Sequence, residues 1–397
     1  MRRPAQSTSN GRNRDGSKHS TEYLTAIGKD RRLALPPDIV TALGLSGGEE
    51  LRVVVNDDRV EVLPGIHNLG RLYIEPTSAC NLSCQTCIRN SWSEPVGEMD
   101  MALFDRLADQ LTGFSGLQSV MFGGFGEPTC HKDIPHMIRA IKSLGLRVEM
   151  TTNGTLLSET MLRELLDSKM DTIWVSFDGT GHDSFDSIRE GASFDRVVQN
   201  LRTLKVLHER SGHKIQIGIA FVAMKRNVDD LRHLSTLARS VGAKTVSVSN
   251  VLPYSRDMQE QMLCNMVLTD NRFLYGPGAL SISLPLLDVN QTTKEPIFSL
   301  LRSGASISVM SNRIGVEGDT CRFIWDRCTF VRWDGAVSPC MGLLHPHVTY
   351  SSPNQPGRSI KGYTLGNIAS DTLRRRTRRT VLAILFRHVE GACGRRE

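Results

Sequence analysis

Between residues 70 and 255 the chain alternates short β-branched runs with amphipathic helical stretches, and this alternation limits the fold more than any other feature. The strand runs are Leu72–Glu75, Ser119–Phe122, Arg147–Thr151, Thr172–Phe177, Lys214–Val222 and Thr245–Val251. Helical spacing of apolar residues marks 100–112, 132–144, 159–169, 194–209 and 228–241, as with Val197, Val198, Leu201 and Leu204 in the fourth. Such repetition makes an α/β fold with a parallel sheet and right-handed crossovers. Loops at the C-terminal ends of such strands are where these folds place their chemistry.

The first strand leads directly into IEPTSACNLSCQTC, which holds Cys80, Cys84 and Cys87 at CxxxCxxC spacing. Three thiolates can hold three irons of a [4Fe–4S] cube and leave the fourth iron open to a ligand. The alternative is zinc, which normally takes four ligands as two CxxC-like pairs, and no second pair lies nearby. The second strand leads into FGGFGEPTCHKDI, with Gly123, Gly124, Gly126, Glu127 and Pro128. Glycines let a backbone approach a ligand closely because no Cβ intervenes.

A CxxxCxxC loop after one strand, followed by a GxGEP loop after the next, resembles the signature of radical S-adenosylmethionine (radical SAM) enzymes. The resemblance implies a partial (β/α)6 TIM-like barrel over 70–255, a [4Fe–4S] cluster on Cys80, Cys84 and Cys87, and SAM chelated at the open iron. It implies reductive cleavage of SAM to methionine and a 5′-deoxyadenosyl radical. Glu127 is expected at the SAM ammonium, since a carboxylate accepts well from that donor, in a turn built by Gly124, Gly126 and Pro128. Asn153 ends the third strand, Ser176 ends the fourth, Arg189 follows in DSIREGASFDRV, and Asn250 ends the sixth. By resemblance these four approach the ribose, carboxylate or adenine of SAM; each is equally readable as an exposed loop group. Phe125 replaces a glycine common in the family, and Thr86 stands where an aromatic residue often lies near adenine.

A second constellation is Cys321, Cys328 and Cys340, in CRFIWDRCTFVRWDGAVSPCMGLLH. With Gly335 it resembles the opening of a SPASM domain, and TLGNI (Thr364–Ile368) resembles a later segment of it. The resemblance implies one auxiliary [4Fe–4S] cluster, with Cys393 as a candidate fourth ligand. The later cysteine run is missing, so 321–370 reads as a partial SPASM-like domain, 256–320 as a bridging or substrate region, and 371–397 as an atypical Arg-rich tail. Cys130 and Cys264 read as ordinary buried thiols.

Residues 1–21 read as a disordered basic arm. Residues 22–64 read as strand, turn, strand (Arg32–Leu35), a short helix opened by Pro36–Pro37, and strands Leu51–Val55 and Val60–Leu63. This order resembles the SpoVT/AbrB-like swapped-hairpin domain, which implies a homodimer and either DNA binding through Lys29, Arg31 and Arg32 or a dimerisation role alone.

The nine cysteines of this 397-residue chain are expected as metal ligands before disulfides. No apolar run reaches membrane-spanning length and the start lacks a signal-peptide core, so a cytoplasmic protein with no membrane partner is expected. The net charge of +6 is weak support for nucleic acid and is concentrated at the two ends. CNLSCQTCIRNSW and the 321–345 run look most like maturases of tungsten-cofactor oxidoreductases of the aldehyde:ferredoxin oxidoreductase type. That resemblance implies a tungsten enzyme as partner and a low-potential donor such as ferredoxin or flavodoxin. A SPASM-type enzyme that modifies a precursor peptide, and a DNA-binding sensor of redox state or SAM, stand as alternatives.

Overall fold

The computed structural model describes residues 34–42, 51–55, 60–64, 69–92, 94–263, 280–284, 287–309, 323, 326–350 and 356–373. Of the N-terminal module this includes the helix Pro37–Ala42 and an antiparallel hairpin, β1 (Leu51–Val55) with β2 (Val60–Pro64), in register Val53↔Val62. Lys29, Arg31 and Arg32 lie outside the described residues; Ala34 and Leu35, at the end of the expected second strand, are not in a strand. Val53 is 56% exposed on β1.

The six expected strands form, with ends within two residues of expectation. They are β3 (Arg71–Ile74), β4 (Ser119–Phe122), β5 (Arg147–Thr152), β6 (Thr172–Ser176), β7 (Gln216–Ala223) and β8 (Thr245–Asn250), all parallel. Two of the helices between them start at side-chain caps: Asp100 accepts the Ala102 N–H at 2.8 Å, and Ser158 accepts that of Met161 at 3.2 Å. The fifth expected helix is split into a 3-10 turn, Val228–Arg232, and a helix, Leu234–Val241, which ends at Gly242 with φ 76°.

The parallel sheet runs beyond the expected boundary at 255. β9 (Ser281–Leu284) pairs with β8, and β10 (Ser306–Val309) pairs with β9. Ile282 and Leu284 anchor β9 in the core, which is why a run of only four residues extends the sheet. The C-terminal segment also enters the sheet, at the other edge. β11 (Cys328–Val331) lies parallel to β3, followed by β12 (Ala336–Ser338). β13 (His347–Thr349) and β14 (Arg358–Ile360) form a separate hairpin, and β15 (Gly366–Asn367) pairs back onto β12.

Alternation along the strands divides the core into two faces. Leu72, Ile74, Val120, Phe122, Ile173 and Val175 pack against the helices. Tyr73, Met121, Trp174, Cys328 and Phe330 collect on the opposite face, with Tyr73 stacked on Phe330 at 4.4 Å between centroids. Two charges share that face: Arg71 pairs with buried Glu149 at 3.1 Å, and the Trp174 Nε1–H donates to the same carboxylate at 3.0 Å.

Because β11 completes the inner face, Phe330→Ala is expected to lower the urea midpoint of the main unfolding transition, at a cost of about 3–5 kcal/mol. A main transition that does not move would show that β11 packs only peripherally.

Candidate functional site

The site is built where the loop after β4 lies on the loop after β3. Gly126 approaches so closely that a Cβ would stand 2.0 Å from the Thr77 carbonyl oxygen. The Glu127 N–H donates to the Ala79 carbonyl at 2.7 Å, one residue before Cys80. Gly124 has φ +132° and leaves no room for a side chain, since a Cβ would meet Glu75 Cγ at 2.7 Å. These contacts explain why glycine is needed at both positions.

The cysteine loop is fixed from several directions. Thr77 Oγ1 accepts the Ala79 N–H at 3.0 Å, and the Leu82 N–H points at Cys80 Sγ at 3.4 Å. Ser83 and Gln85 donate backbone N–H groups to the carbonyls of Glu190 and Ile188 at 3.0 and 2.9 Å. This stitches the loop to the segment that carries Arg189. All three cysteines are partly exposed free thiols. Burial pushes the Cys84 thiol up to about 11, opposed by the Arg189 charge and reinforced by Asp178 and the other two thiols. Burial raises Cys87 too, opposed by Arg89, so a metal must displace protons from these thiols on binding. Among the described residues no three His, Cys, Asp or Glu groups are poised to close on a single metal ion. A cluster, which spreads its ligands around a cube, places no such demand on them.

Glu127 is 3% exposed and more occupied than its expected role implies. Oε1 accepts from Thr129 N at 3.2 Å, Thr129 Oγ1 at 2.6 Å and Thr152 Oγ1 at 2.6 Å. Among the described residues Oε2 accepts only the Asn153 N–H, at 2.6 Å, and so retains capacity for one further donor. Asn153 is likewise committed. Its Nδ2 donates to Asn81 Oδ1 at 2.9 Å, and its Oδ1 accepts from Thr155 N and Oγ1 at 2.9 and 2.7 Å. Together they tie the ends of β4 and β5 to the cysteine loop. Pro128 is buried and opens the 3-10 turn Pro128–Cys130. That turn brings Cys130 beside the cysteine loop, with its Sγ 4.0 Å from Asn81 Oδ1, so Cys130 is not the isolated buried thiol expected.

Arg189 offers the best fit for an absent anion. It is 8% exposed, and its NH1 donates to buried Asp178 Oδ2 at 2.6 Å. Burial disfavours its charge, but Asp178 and Cys84 outweigh this and raise its pKa. Its Nε is buried with no hydrogen-bond partner among the described residues. A buried donor left unpaired costs about 1–3 kcal/mol, so a negatively charged group beside Cys84 would be held there. Ser176 ends β6, half-buried, and Asn250 ends β8, buried; both sit at strand C-terminal ends with the cysteine loop.

The second cysteine set is described only in part. Cys321 lies outside the described residues, as do Cys264, Cys393 and the arginine run 374–379. Cys328 opens β11 and is buried against the inner-face aromatics; Cys340 follows β12 and is half-buried. Because β11 and β12 are antiparallel, the two fall at the same end of that hairpin.

One buried network was not read from the sequence. His345 is 1% exposed; its Nε2 faces Glu75 Oε2 at 2.8 Å and its Nδ1 contacts Glu94. Glu94 accepts from Arg332 NH1 at 3.1 Å, and Asp334 holds the Arg332 Nε at 2.9 Å. Burial disfavours the imidazolium, but the two carboxylates outweigh it and raise the His345 pKa. Trp92 lies against the ring at 4.1 Å between centroids. Glu75 stands immediately after β3, a position that invites notice, but nothing local links it to a histidine 270 residues away.

The structure thus presents a parallel sheet with three cysteines on the loop after one strand, against which the next loop packs a glycine turn, as the radical SAM resemblance implies. Residues 74–220 match the Radical SAM superfamily, so the chain carries the domain of a class that works with a [4Fe–4S] cluster and SAM. It is 29% identical over 311 residues to the "Tungsten-containing aldehyde ferredoxin oxidoreductase cofactor-modifying protein" of Pyrococcus furiosus, covering 76% of this chain and 79% of that protein. Mycofactocin maturase MftC of Mycobacterium tuberculosis is 30% identical over 182 residues, which are 46% of this chain and 44% of that protein. The fold is similar to that of Streptococcus suis SuiB bound to precursor peptide SuiA, with a TM-score of 0.52 and 16% identity. The match covers 78% of this chain but 64% of SuiB, so SuiB has substantial structure beyond it. No described helix is long and apolar enough to cross a membrane.

Thr152→Val removes a buried hydroxyl donor from Glu127. It is expected to cost about 1.5–3 kcal/mol, read as a lower urea midpoint of the metal-free protein. An unchanged midpoint would show that the carboxylate finds another donor at no cost.

Proposed function

We propose that this chain is a maturase that modifies a tungsten-containing oxidoreductase or its cofactor by radical SAM chemistry in the cytoplasm. The observation that carries this reading is the extent of the likeness to the P. furiosus cofactor-modifying protein. It covers 76% of this chain, against 46% for the mycofactocin maturase. When bound, the cluster supplies the electron that cleaves SAM to methionine and a 5′-deoxyadenosyl radical.

In this reading Cys80, Cys84 and Cys87 are the cluster ligands. The Arg189 guanidinium, with its unpaired Nε, takes the SAM carboxylate. Glu127 fixes the glycine turn through Oε1 and offers Oε2 to the SAM ammonium. Gly124, Gly126 and Pro128 shape that turn, Asn153 braces the cysteine loop, and Ser176 and Asn250 serve the nucleoside. Cys321, Cys328 and Cys340 hold one auxiliary cluster. A ferredoxin or flavodoxin supplies electrons, and residues 22–64 make a homodimer and offer a surface for DNA. The second reading, modification of a precursor peptide, draws on the peptide-bound SuiB neighbour.

The deciding experiment is co-expression of a tungsten oxidoreductase with and without this chain under anaerobic conditions. A mass change in the oxidoreductase or its extracted cofactor that depends on Cys80 is expected. An unaltered oxidoreductase alongside an altered precursor peptide would favour the second reading. Reconstituted protein is expected to hold about eight irons per chain, in two cubes. About twelve irons, assigned to three cubes, would contradict the single auxiliary site.

A further inference from the structure

We propose that His345 is a positioning residue for SAM, clamping the glycine turn to the cysteine loop from the C-terminal segment. The proposal rests on the radical SAM reading of the site and not on the identity of the final substrate.

The geometry begins at Glu75. Its Oε1 accepts the Phe125 N–H at 3.0 Å, in the middle of the glycine turn, and its side chain fills the space that a Cβ on Gly124 would need. A carboxylate held by one oxygen can rotate; one held by both cannot. His345 supplies the second hold, on Oε2. The other ring nitrogen engages Glu94, on the chain that leaves the cysteine loop, and Trp92 from the same stretch covers the ring. Arg332 and Asp334 in turn fix Glu94 from the β11–β12 turn.

Three separate parts of the chain meet at this imidazole: the β3 end with the glycine turn, the exit of the cysteine loop, and residues 332–345. Both ring nitrogens face carboxylates; the His345–Glu75 pair is buried, where an ionised hydrogen bond is strong, while Glu94 stays partly exposed. Without the ring, Glu75 and Glu94 would be like charges facing each other, and the Glu75 carboxylate would be free to turn away from Phe125. The backbone of the glycine turn would then lose its register against the cysteine loop, although no cluster ligand is touched. The effect should therefore fall on SAM binding and spare cluster assembly.

The test uses the full chain, anaerobically reconstituted, with His345→Gln and Glu94→Gln. Iron content and the cluster absorption are measured first. SAM binding is then followed by the change it causes in the electron paramagnetic resonance of the reduced cluster. His345→Gln is expected to keep its cluster and to need about tenfold more SAM for half-saturation of that change. Glu94→Gln should shift half-saturation in the same direction by a smaller factor. A cluster-loaded His345→Gln with wild-type SAM saturation overturns the proposal. Should His345→Gln fail to fold or load, Glu94→Gln decides, and wild-type saturation in that variant overturns it equally. A wild-type protein whose resonance ignores SAM overturns the underlying reading of the site, and the positioning role with it.

Discussion

Everything at this site depends on the close approach of two backbones, at Gly126 and the Thr77–Ala79 turn. The loop that carries the cysteines and the loop that carries Glu127 come from neighbouring parallel strands, β3 and β4. Parallel pairing alone brings their C-terminal ends together. It is the missing Cβ at Gly126 that lets the second loop seat on the first, and the Glu127 N–H bond to Ala79 that holds it there. Glu127 then reaches to the end of β5 through Thr152 and Asn153. Three strand ends become one rigid surface, around which Cys80, Cys84, Cys87 and Arg189 are arranged.

Much of this was legible in the sequence, for a physical reason. Strand runs such as Val148–Met150 and Ile173–Val175 are continuously apolar or alternate with one interior polar residue, as strands buried on both faces must. The cysteines and glycines announced themselves because metal ligation and close backbone approach each demand a particular residue type. What was not legible depends on partners far apart in the chain. Nothing near Glu75 names His345, and nothing near Glu149 names Arg71 and Trp174. Glu127 was expected to face a ligand, but the sequence could not show that Thr129, Thr152 and Asn153 already occupy much of it. The four-residue strand β10 was not legible as an extension of the barrel because so short a run carries little periodicity.

The C-terminal segment changes character once placed in space. The cysteine pattern suggested a module following the barrel. Instead β11 pairs along β3, the strand that delivers the cysteine loop, and Phe330 stacks on Tyr73 to close the inner face. The same segment supplies Arg332, Asp334 and His345 to the buried network beside the glycine turn. The stability of the sheet and the geometry of the glycine turn are thus shared between the two halves of the chain.

The most direct test of the central claim is SAM cleavage by the anaerobically reconstituted, chemically reduced protein, comparing the wild type with Cys84→Ala. The arrangement of loops described here requires the wild type to release 5′-deoxyadenosine and methionine in equal amounts, and Cys84→Ala to release neither while any auxiliary iron stays bound. Undiminished 5′-deoxyadenosine from Cys84→Ala would contradict it.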